Sequence, residues 1–178
     1  AFKMIKQAGL RWHLPYPIEA NEIVNVQQLR TVEVGYRTNF RSNQLASAPK
    51  EALMLTEDMN IIDISFAVQF DIKDPKNLLL FVAGSLDSVV RGATESSVRE
   101  VVGRSSMDFA ITGGRREIAQ ETKNLLQTIL DRYRTGINIK AVEMQNAQPP
   151  AEVKAAFDDA VKAREDEERL KNEAEAYA

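Results

Sequence analysis

The sequence predicts an α+β domain, in which an antiparallel sheet packs against helices, followed by the start of a long charged helix. Three observations support this prediction. Apolar and polar side chains alternate over residues 62–72, as they do in a half-buried antiparallel strand. Apolar side chains recur at helical spacing over residues 115–135. Residues 151–178 contain neither Gly nor Pro and are rich in charge.

The first part of the chain is predicted to be rich in strands. Valines that recur with period two indicate short strands at residues 22–26 and 31–37. The polar residues 41–50 predict a surface loop. A short polar segment separates the apolar run 53–55 from the long strand at 62–72, which predicts a hairpin.

The following part is predicted to be helical. Asp74 can cap a helix and Pro75 fits a first turn, so we expect a short helix at residues 77–82. Ser85 is expected to cap a longer helix that ends near Val102. The predicted apolar stripe of this longer helix consists of Leu86, Val89, Val90, Ala93, Val101 and Val102.

A third helix and a closing strand complete the predicted domain. Residues 107–111 indicate a brief hydrophobic turn, and residues 115–135 a helix that Gly136 ends in the left-handed conformation. The apolar face of this helix is predicted to consist of Ile118, Thr122, Leu125, Leu126, Ile129 and Tyr133. Residues 137–144 predict the last strand, in which Val142 and Met144 are out of phase with the preceding apolar positions and indicate a bulge.

A Pro-Pro pair at residues 149–150 marks the predicted boundary between two parts. Residues 1–148 are expected to form the domain, with a strand-rich part at 1–75 and a helix-rich part with the closing strand at 76–148. Residues 149–178 are expected to begin a long charged helix.

A heptad frame with Val153 at position a gives this helix a thin apolar seam. The predicted oligomer seam consists of Val153, Ala156, Ala160, Ala163, Leu170, Ala174 and Tyr177. Alanine buries little area and Glu167 occupies a core position, so a two-stranded coiled coil of this segment alone should be marginal. We expect a longer rod packed laterally against several neighbours. The alternative is a solvated helix with salt-bridging pairs and no partner.

The composition excludes several classes of protein. The 23 basic and 26 acidic residues nearly balance and the pI is about 5.4, which does not suggest a nucleic-acid-binding protein. The absence of cysteine excludes disulfides, thiolate metal sites and cysteine nucleophiles. The chain begins without Met and ends within a predicted helix, so we expect it to belong to a longer protein that could carry a membrane anchor elsewhere.

The sequence shows no convincing catalytic constellation. His13 is the single histidine and is interpreted as a surface or packing residue in a proline-rich loop. The carboxylate pairs Asp63 with Asp71 and Asp158 with Asp159 are expected to face solvent. We expect no cofactor, no metal site and no enzyme activity. A Ser-Lys dyad of the kind that some hydrolases use is the alternative.

The segment at residues 9–18 combines aromatic side chains with two prolines. One interpretation is a loop that packs Trp12 and Tyr16 onto the sheet. The other is a membrane-facing lip, because Trp and Tyr favour the headgroup region and Arg11 could meet phosphates. The residues of the predicted lip are Leu10, Arg11, Trp12, Leu14 and Tyr16.

The order of residues over 56–75 resembles the hallmark of the stomatin, prohibitin, flotillin and HflK/C family, also called SPFH or band 7. Its features are Thr56, Asp58, branched residues at 62 and 64, Val68, an aromatic at 70 and the pair Asp74-Pro75. The segments S-V-V-R-G-A-T-E-S-S-V-R-E-V-V-G at 88–103 and G-I-N-I-K-A-V at 136–142 are also similar to the family. The segment Q-P-P-A-E-V-K-A-A-F-D-D-A-V-K-A-R-E-D-E at 148–167 resembles its HflK branch.

The resemblance implies an SPFH domain in a non-enzymatic scaffold of the bacterial inner membrane, anchored once upstream, with the domain on the periplasmic side. It also implies an HflC-like partner subunit, self-association into a large ring or cage, contact with lipid, and regulation of the membrane AAA protease FtsH. Two alternatives are a membrane-associated hydrolase using a Ser-Lys pair and a stomatin-like microdomain scaffold unrelated to FtsH.

Overall fold

The fold is built on one long strand, β5, which covers Ile61–Ile72. The computed structural model describes residues 24–39, 44–82 and 84–177 of the chain. The other strands in these ranges are β1 (Arg30–Val34), β2 (Tyr36–Asn39), β3 (Gln44–Ser47), β4 (Leu53–Leu55) and β6 (Ile137–Gln148). The helices are α1 (Pro49–Ala52), α2 (Pro75–Phe81), α3 (Leu86–Val102), α4 (Met107–Ile111), α5 (Arg115–Arg132) and α6 (Lys154–Tyr177). The predicted α+β class is confirmed.

Three strands pair with β5, all antiparallel. Asp63 pairs with both Leu53 of β4 and Gln148 of β6, so β4 and β6 lie on opposite edges of β5. The strand β1 pairs with the second half of β5, from Phe66 to Phe70. The predicted hairpin of β4 and β5 is therefore confirmed, and β5 is the central strand of the sheet.

The core lies between one face of this sheet and the helices α3 and α5. The even-numbered side chains of β5 are all buried, as the alternation predicts; they are Ile62, Ile64, Phe66, Val68, Phe70 and Ile72. Burying a side chain of this size stabilises the fold by about 1.5–3 kcal/mol.

Glycine 35 divides the strand predicted at residues 31–37 into β1 and β2. Its φ of +86° lies in the left-handed region, and a Cβ there would lie 2.7 Å from the carbonyl oxygen of Ile64. The predicted strand at 22–26 is wrong over Val24–Val26, the part that the structure describes, because the Asn25 side chain accepts a hydrogen bond from the Gln27 backbone and the chain bends.

The predicted loop at residues 41–50 is wrong over its described part. The strand β3 pairs with β2, and α1 begins at Pro49. The strand β3 shows no alternation of apolar and polar residues, so the sequence pattern missed it. A partly exposed ion pair joins α1 to β2, since Arg37 Nη2 lies 2.7 Å from Glu51 Oε1. Burial raises the pKa of Glu51, but the hydrogen bond and charge of Arg37 outweigh it and lower the pKa below its usual range.

The caps of α2 and α3 lie where the sequence predicts them. Asp74 accepts hydrogen bonds from the backbone of Lys76 and Asn77, although α2 begins at Pro75, two residues earlier than expected. Ser85 accepts from the backbone of Ser88. The buried face of α3 includes Thr94 and Ser97, which the apolar stripe omitted. Their hydroxyls donate to main-chain carbonyls four residues earlier and are thereby satisfied.

The helix α5 ends three residues earlier than predicted. Its buried residues are Ile118, Thr122, Leu126 and Leu130. Tyr133 was placed on this face wrongly, because it follows the helix end and is 68% exposed. Arg134 has a φ of 52° and Gly136 a φ of 70°, so the chain leaves the helix before Gly136 is reached.

The closing strand β6 contains the predicted irregularity twice. Register shifts occur opposite Ser65/Phe66 and Gln69/Phe70. Each bulge adds one residue and restores the core face, which explains why Ile139, Val142 and Ala147 are all buried despite their uneven spacing. The strand also continues to Gln148, four residues beyond the expected end.

Candidate functional site

The turn between β4 and β5 is held to the start of α4. Thr56 Oγ1 lies 2.5 Å from Asp58 Oδ1, and the Met107 backbone N–H donates to both Asp58 oxygens at 3.2 and 3.3 Å. The Glu57 N–H donates to the Ser105 carbonyl at 3.1 Å. The Thr56 hydrogen bond, joined by that of Met107, lowers the pKa of Asp58. The hairpin tip is therefore fixed in position relative to the helices.

This hairpin carries an exposed apolar surface, which we call the hairpin patch. It consists of Leu53, Leu55, Met59 and Ile61. Leu53 and Leu55 flank the buried Met54, so they lie on the sheet face opposite the helices, and Leu55 pairs with Ile61. Met59 lies at the tip with 84% of its surface exposed and a φ of 60°. Several neighbouring exposed apolar side chains indicate an interaction surface.

A second apolar surface lies at the other end of β5, around α2. Leu80 and Phe81 are 50% and 53% exposed. A groove of about 280 Å³, which we call the α2 groove, lies between α2 and the start of α3; it is lined by Leu78, Leu79, Val82, Gly84 and Leu86. Pockets for small molecules usually measure about 300–1,000 Å³, so the groove lies just below this range.

The long helix α6 exposes the predicted oligomer seam. Val153, just before the helix, and Leu170 are 49% and 59% exposed. The alanines of the seam are also exposed; they are Ala156, Ala160, Ala163 and Ala174. The helix reaches Tyr177, whose side chain lies outside the described residues. The half-buried Phe157 packs against the domain core, so the start of α6 contacts the domain.

The expected pairs of carboxylates do not form a catalytic arrangement. Asp63 and Asp71 lie on one strand, roughly 26 Å apart at the usual rise per residue, whereas two-carboxylate mechanisms need a separation of roughly 5–10 Å. Asp71 accepts from Asn138 Nδ2 at 2.8 Å and pairs with Lys140 Nζ at 3.0 Å. Burial raises the pKa of Asp63. Asp158 and Asp159 are exposed on α6.

Metal-binding groups, serine hydroxyls and the character of the helices also bear on function in the described part of the chain. No group of three or more His, Cys, Asp and Glu side chains there could hold a metal ion. The hydroxyls of Ser96, Ser97 and Ser105 donate to main-chain carbonyls. Within the described ranges, no helix has both the length and the apolar character that crossing a bilayer requires.

The hairpin patch and the α2 groove were not predicted from the sequence. One signal was present, since Ile61 is apolar at an odd position of a strand whose even positions form the core. The predicted lip residues, Leu10, Arg11, Trp12, Leu14 and Tyr16, lie outside the described residues, as does His13.

Comparison with known proteins defines the family. The profile of the SPFH domain / Band 7 family matches residues 1–178. The chain belongs to this family. The predicted resemblance is thereby confirmed, and the fold described above is that of an SPFH member.

Relatives of this SPFH chain share similarity across almost all of it. It is 41% identical over 176 residues to Protein HflK of Vibrio parahaemolyticus, covering 99% of the chain and 40% of that protein. It is 37% identical over 176 residues to "Modulator of FtsH protease HflK" of Escherichia coli K12, covering 99% and 38%. Protein HflK of Treponema pallidum is 30% identical over 171 residues, covering 94% and 52%. The chain thus spans about two fifths to one half of the length of these relatives.

Proposed function

We propose that the chain is part of a non-enzymatic membrane scaffold subunit that assembles into a large ring or cage and regulates an FtsH-like membrane AAA protease. The observation that carries this proposal is the similarity over 99% of the chain to a protein named modulator of FtsH protease. An HflC-like subunit and further copies of the chain are the proposed partners. The proposed location is the bacterial inner membrane, with one anchor upstream and the domain on the periplasmic side.

In this proposal, the domain and the helix that follows it have different roles. Residues 1–148 form the SPFH domain in this proposal, and residues 149–178 begin a rod that packs side by side with neighbouring rods. The exposed seam of α6 supports this role, because its apolar and small side chains have no cover within the described part of the chain. Contacts that are weak singly become strong when many close in one ring, since each later contact is effectively intramolecular.

The charge pattern of α6 favours parallel neighbours. In the heptad frame, Asp159 and Asp166 occupy position g and Lys171 occupies position e. In a parallel pair, position g of one helix faces position e of the next heptad on its partner, so Asp166 would face Lys171. An antiparallel pair would place the acidic g positions opposite one another.

The proposal is tested by particle size and composition. The full-length protein carries a tag, is extracted from its own membrane in mild detergent, and is analysed for particle size and co-purifying proteins. We expect a megadalton-scale particle containing a related subunit and an AAA protease. A small particle with neither partner would refute the proposal.

The seam is tested in the same preparation. Ala156→Glu combined with Ala163→Glu places charges in the seam, and we expect the large particle to be lost. Ala155→Glu combined with Ala176→Glu is the matched control, because both residues are exposed at position c, away from the seam. Equal particle sizes for the two double variants would refute the seam.

The lip is a separate proposal. Because Trp side chains favour the headgroup region, Trp12→Ala is expected to weaken binding to liposomes that contain anionic lipid. An unchanged partition between liposomes and solution would instead favour packing of Trp12 onto the sheet.

A further inference from the structure

The hairpin patch combines apolar side chains with one carboxylate on a single face of the sheet. Leu55 pairs with Ile61, and Leu53 pairs with Asp63. Directly opposed residues of an antiparallel pair project to the same face. Ile61 and Asp63 are two residues apart on β5, so their side chains lie about 7 Å apart. The four side chains therefore form a compact block, and Met59 lies next to it at the hairpin tip.

Met59 occupies a conformation that the fold alone does not explain. Its φ of 60° lies in the left-handed region, where Gly or Asn is favoured over a residue with a long side chain. Because 84% of its surface is exposed, burial within the described part of the domain does little to offset this strain. Strained residues of this kind cluster at binding sites, and methionine adapts its shape to apolar partners. Met59 is therefore suited to anchor a partner.

The turn that carries Met59 is held in place by the domain itself. Asp58 accepts hydrogen bonds from the Met107 backbone at 3.2 and 3.3 Å. The Glu57 N–H donates to the Ser105 carbonyl at 3.1 Å. A preformed surface loses little conformational entropy when it binds a partner, so the hairpin patch needs no rearrangement to be used.

The unpaired charges at the patch, among the described side chains, are negative. The carboxylate of Asp63 has no hydrogen bond or ion pair within the described residues, and burial raises its pKa. Glu57 is exposed on the turn, whereas the nearby Arg104 is already paired with Glu100. A cation beside Asp63 would stabilise its charged form. Negative charge at the patch also disfavours anionic lipid headgroups and the symmetric pairing of two such patches.

We propose that the hairpin patch binds an extended segment of a different polypeptide, in which two apolar side chains and a lysine or arginine share one face. The apolar side chains contact Met59 and the pair of Leu55 with Ile61, and the cation lies against Asp63. In an extended segment, residues two apart are also separated by about 7 Å, which matches the spacing of Ile61 and Asp63. The inference concerns the domain surface alone and does not depend on the proposed assembly.

The test uses the full-length protein in nanodiscs of zwitterionic lipid and a fluorescein-labelled peptide, Gly-Leu-Ser-Leu-Ser-Lys-Ser-Gly. A second peptide carries Glu in place of Lys. Fluorescence anisotropy measures both affinities. We expect the lysine peptide to bind roughly two- to fivefold more tightly, as one exposed ion pair allows. Met59→Ser and Ile61→Ser should each weaken its binding by roughly tenfold, because each removes a large apolar contact.

Substitutions of Asp63 test the position of the cation. Asp63→Asn should make the two peptides bind about equally, and Asp63→Lys should reverse the preference. A reversal requires that this side chain meets the charge of the peptide, which a folding defect would not produce. Asp87→Lys is the matched control. Asp87 is exposed in the first turn of α3, about 24 Å along the helix from Gly103, whose Cβ would lie 3.9 Å from the Leu55 carbonyl oxygen.

Other results would overturn the proposal. They are binding of neither peptide, a preference that Asp63→Asn and Asp63→Lys leave unchanged, and a preference that Asp87→Lys reverses equally. Two other occupants are detected with Ile61→Cys, after any cysteines outside this chain are replaced by serine. Quenching of a fluorophore at this cysteine by quencher-bearing lipids would assign the patch to the bilayer, and a disulfide between two copies would assign it to a second copy. Each of these results overturns the proposal and leaves the scaffold function to its own test of particle size and composition.

Discussion

The strand β5 and the helix α6 differ most clearly in how much of their surface the rest of the domain buries. Both are regular, but β5 is paired on both edges and its core-facing side chains are fully buried. The described side chains of α6 are exposed apart from the half-buried Phe157. Along α6, exposed side chains form local ion pairs such as Glu167–Lys171 at 2.7 Å, which stabilise a helix slightly. The domain therefore has a buried core of its own, whereas α6 presents a surface that the described residues of the chain leave uncovered.

The largest expected effect comes from the centre of β5. Phe66→Ala should lower the free energy of unfolding by about 3–5 kcal/mol, because Phe66 is fully buried. Leu170→Ala on α6 should change it by at most about 0.5 kcal/mol, since Leu170 is 59% exposed. Urea denaturation measures both. Similar losses would mean that α6 packs against the domain in the free chain.

A smaller loss of stability is expected from a substitution at Gly136, which follows α5 and contacts the chain just after β5. The Gly136 carbonyl accepts from the backbone of Lys73 and Asp74, and a Cβ at Gly136 would lie 2.2 Å from the Asp74 carbonyl oxygen. Because Gly136 has a φ of 70°, Gly136→Ala should lower the free energy of unfolding by about 1–3 kcal/mol or more. Thermal unfolding measures the change.

The matched control for Gly136 is Gly92, which lies inside α3 and has open space around its Cα. Gly92→Ala should stabilise the chain by about 0.5–1 kcal/mol, because alanine loses less backbone entropy in a helix. A loss of stability in Gly92→Ala, or no loss of stability in Gly136→Ala, would contradict this geometry.

Opposite pH effects on stability are expected from Asp58, in the turn between β4 and β5, and Asp63, in β5. The pKa of Asp58 is lowered, so its stabilisation is present above the ordinary carboxyl pKa of about 3.9 and is lost as the pH falls through the lowered value. The pKa of Asp63 is raised by burial, so its charge destabilises the fold at neutral pH, and protonation removes this cost as the pH falls.

Asparagine variants distinguish the effects of these two carboxyl groups on stability. At pH 7, Asp58→Asn should lower the urea midpoint and Asp63→Asn should raise it. The effect of Asp63→Asn should shrink at pH 3, because the raised pKa of Asp63 lies above that pH, whereas the effect of Asp58→Asn should shrink only as the pH falls toward the lowered pKa of Asp58. Shifts of the same sign at pH 7 would show that the environments of the two groups have been misassigned.

The smallest effect is expected in α6. Lys171→Ala removes the ion pair with Glu167 and should weaken the helix by about 0.2–0.5 kcal/mol. Circular dichroism of the chain measures the helix content. The difference from the parent should fall in 1 M NaCl, where such exposed pairs are screened; a difference independent of salt would point to a packing role for the Lys171 stem.

Local patterns in the sequence were sufficient to predict the elements in which buried side chains recur at regular spacing. The alternation over residues 62–72 identified the core face of β5, and Asp74 and Ser85 identified two helix starts, because a cap is a local hydrogen bond. The oligomer seam of α6, which rests on heptad spacing alone, stays a prediction. These features depend on neighbours within a few residues of one another.

Other features depend on residues that are distant in the sequence, and only the tertiary structure shows them. Gly35 interrupts the strand predicted at 31–37 because the carbonyl of Ile64 approaches it closely, and the strand β3, which pairs with β2, shows no apolar period. The hairpin patch became visible only when the pairing of Leu55 with Ile61 placed both on the outer face. The α2 groove likewise forms between residues on two helices. Which apolar side chains remain uncovered is a property of the assembled fold, since a sequence pattern gives each side chain a face but not the neighbour that covers it.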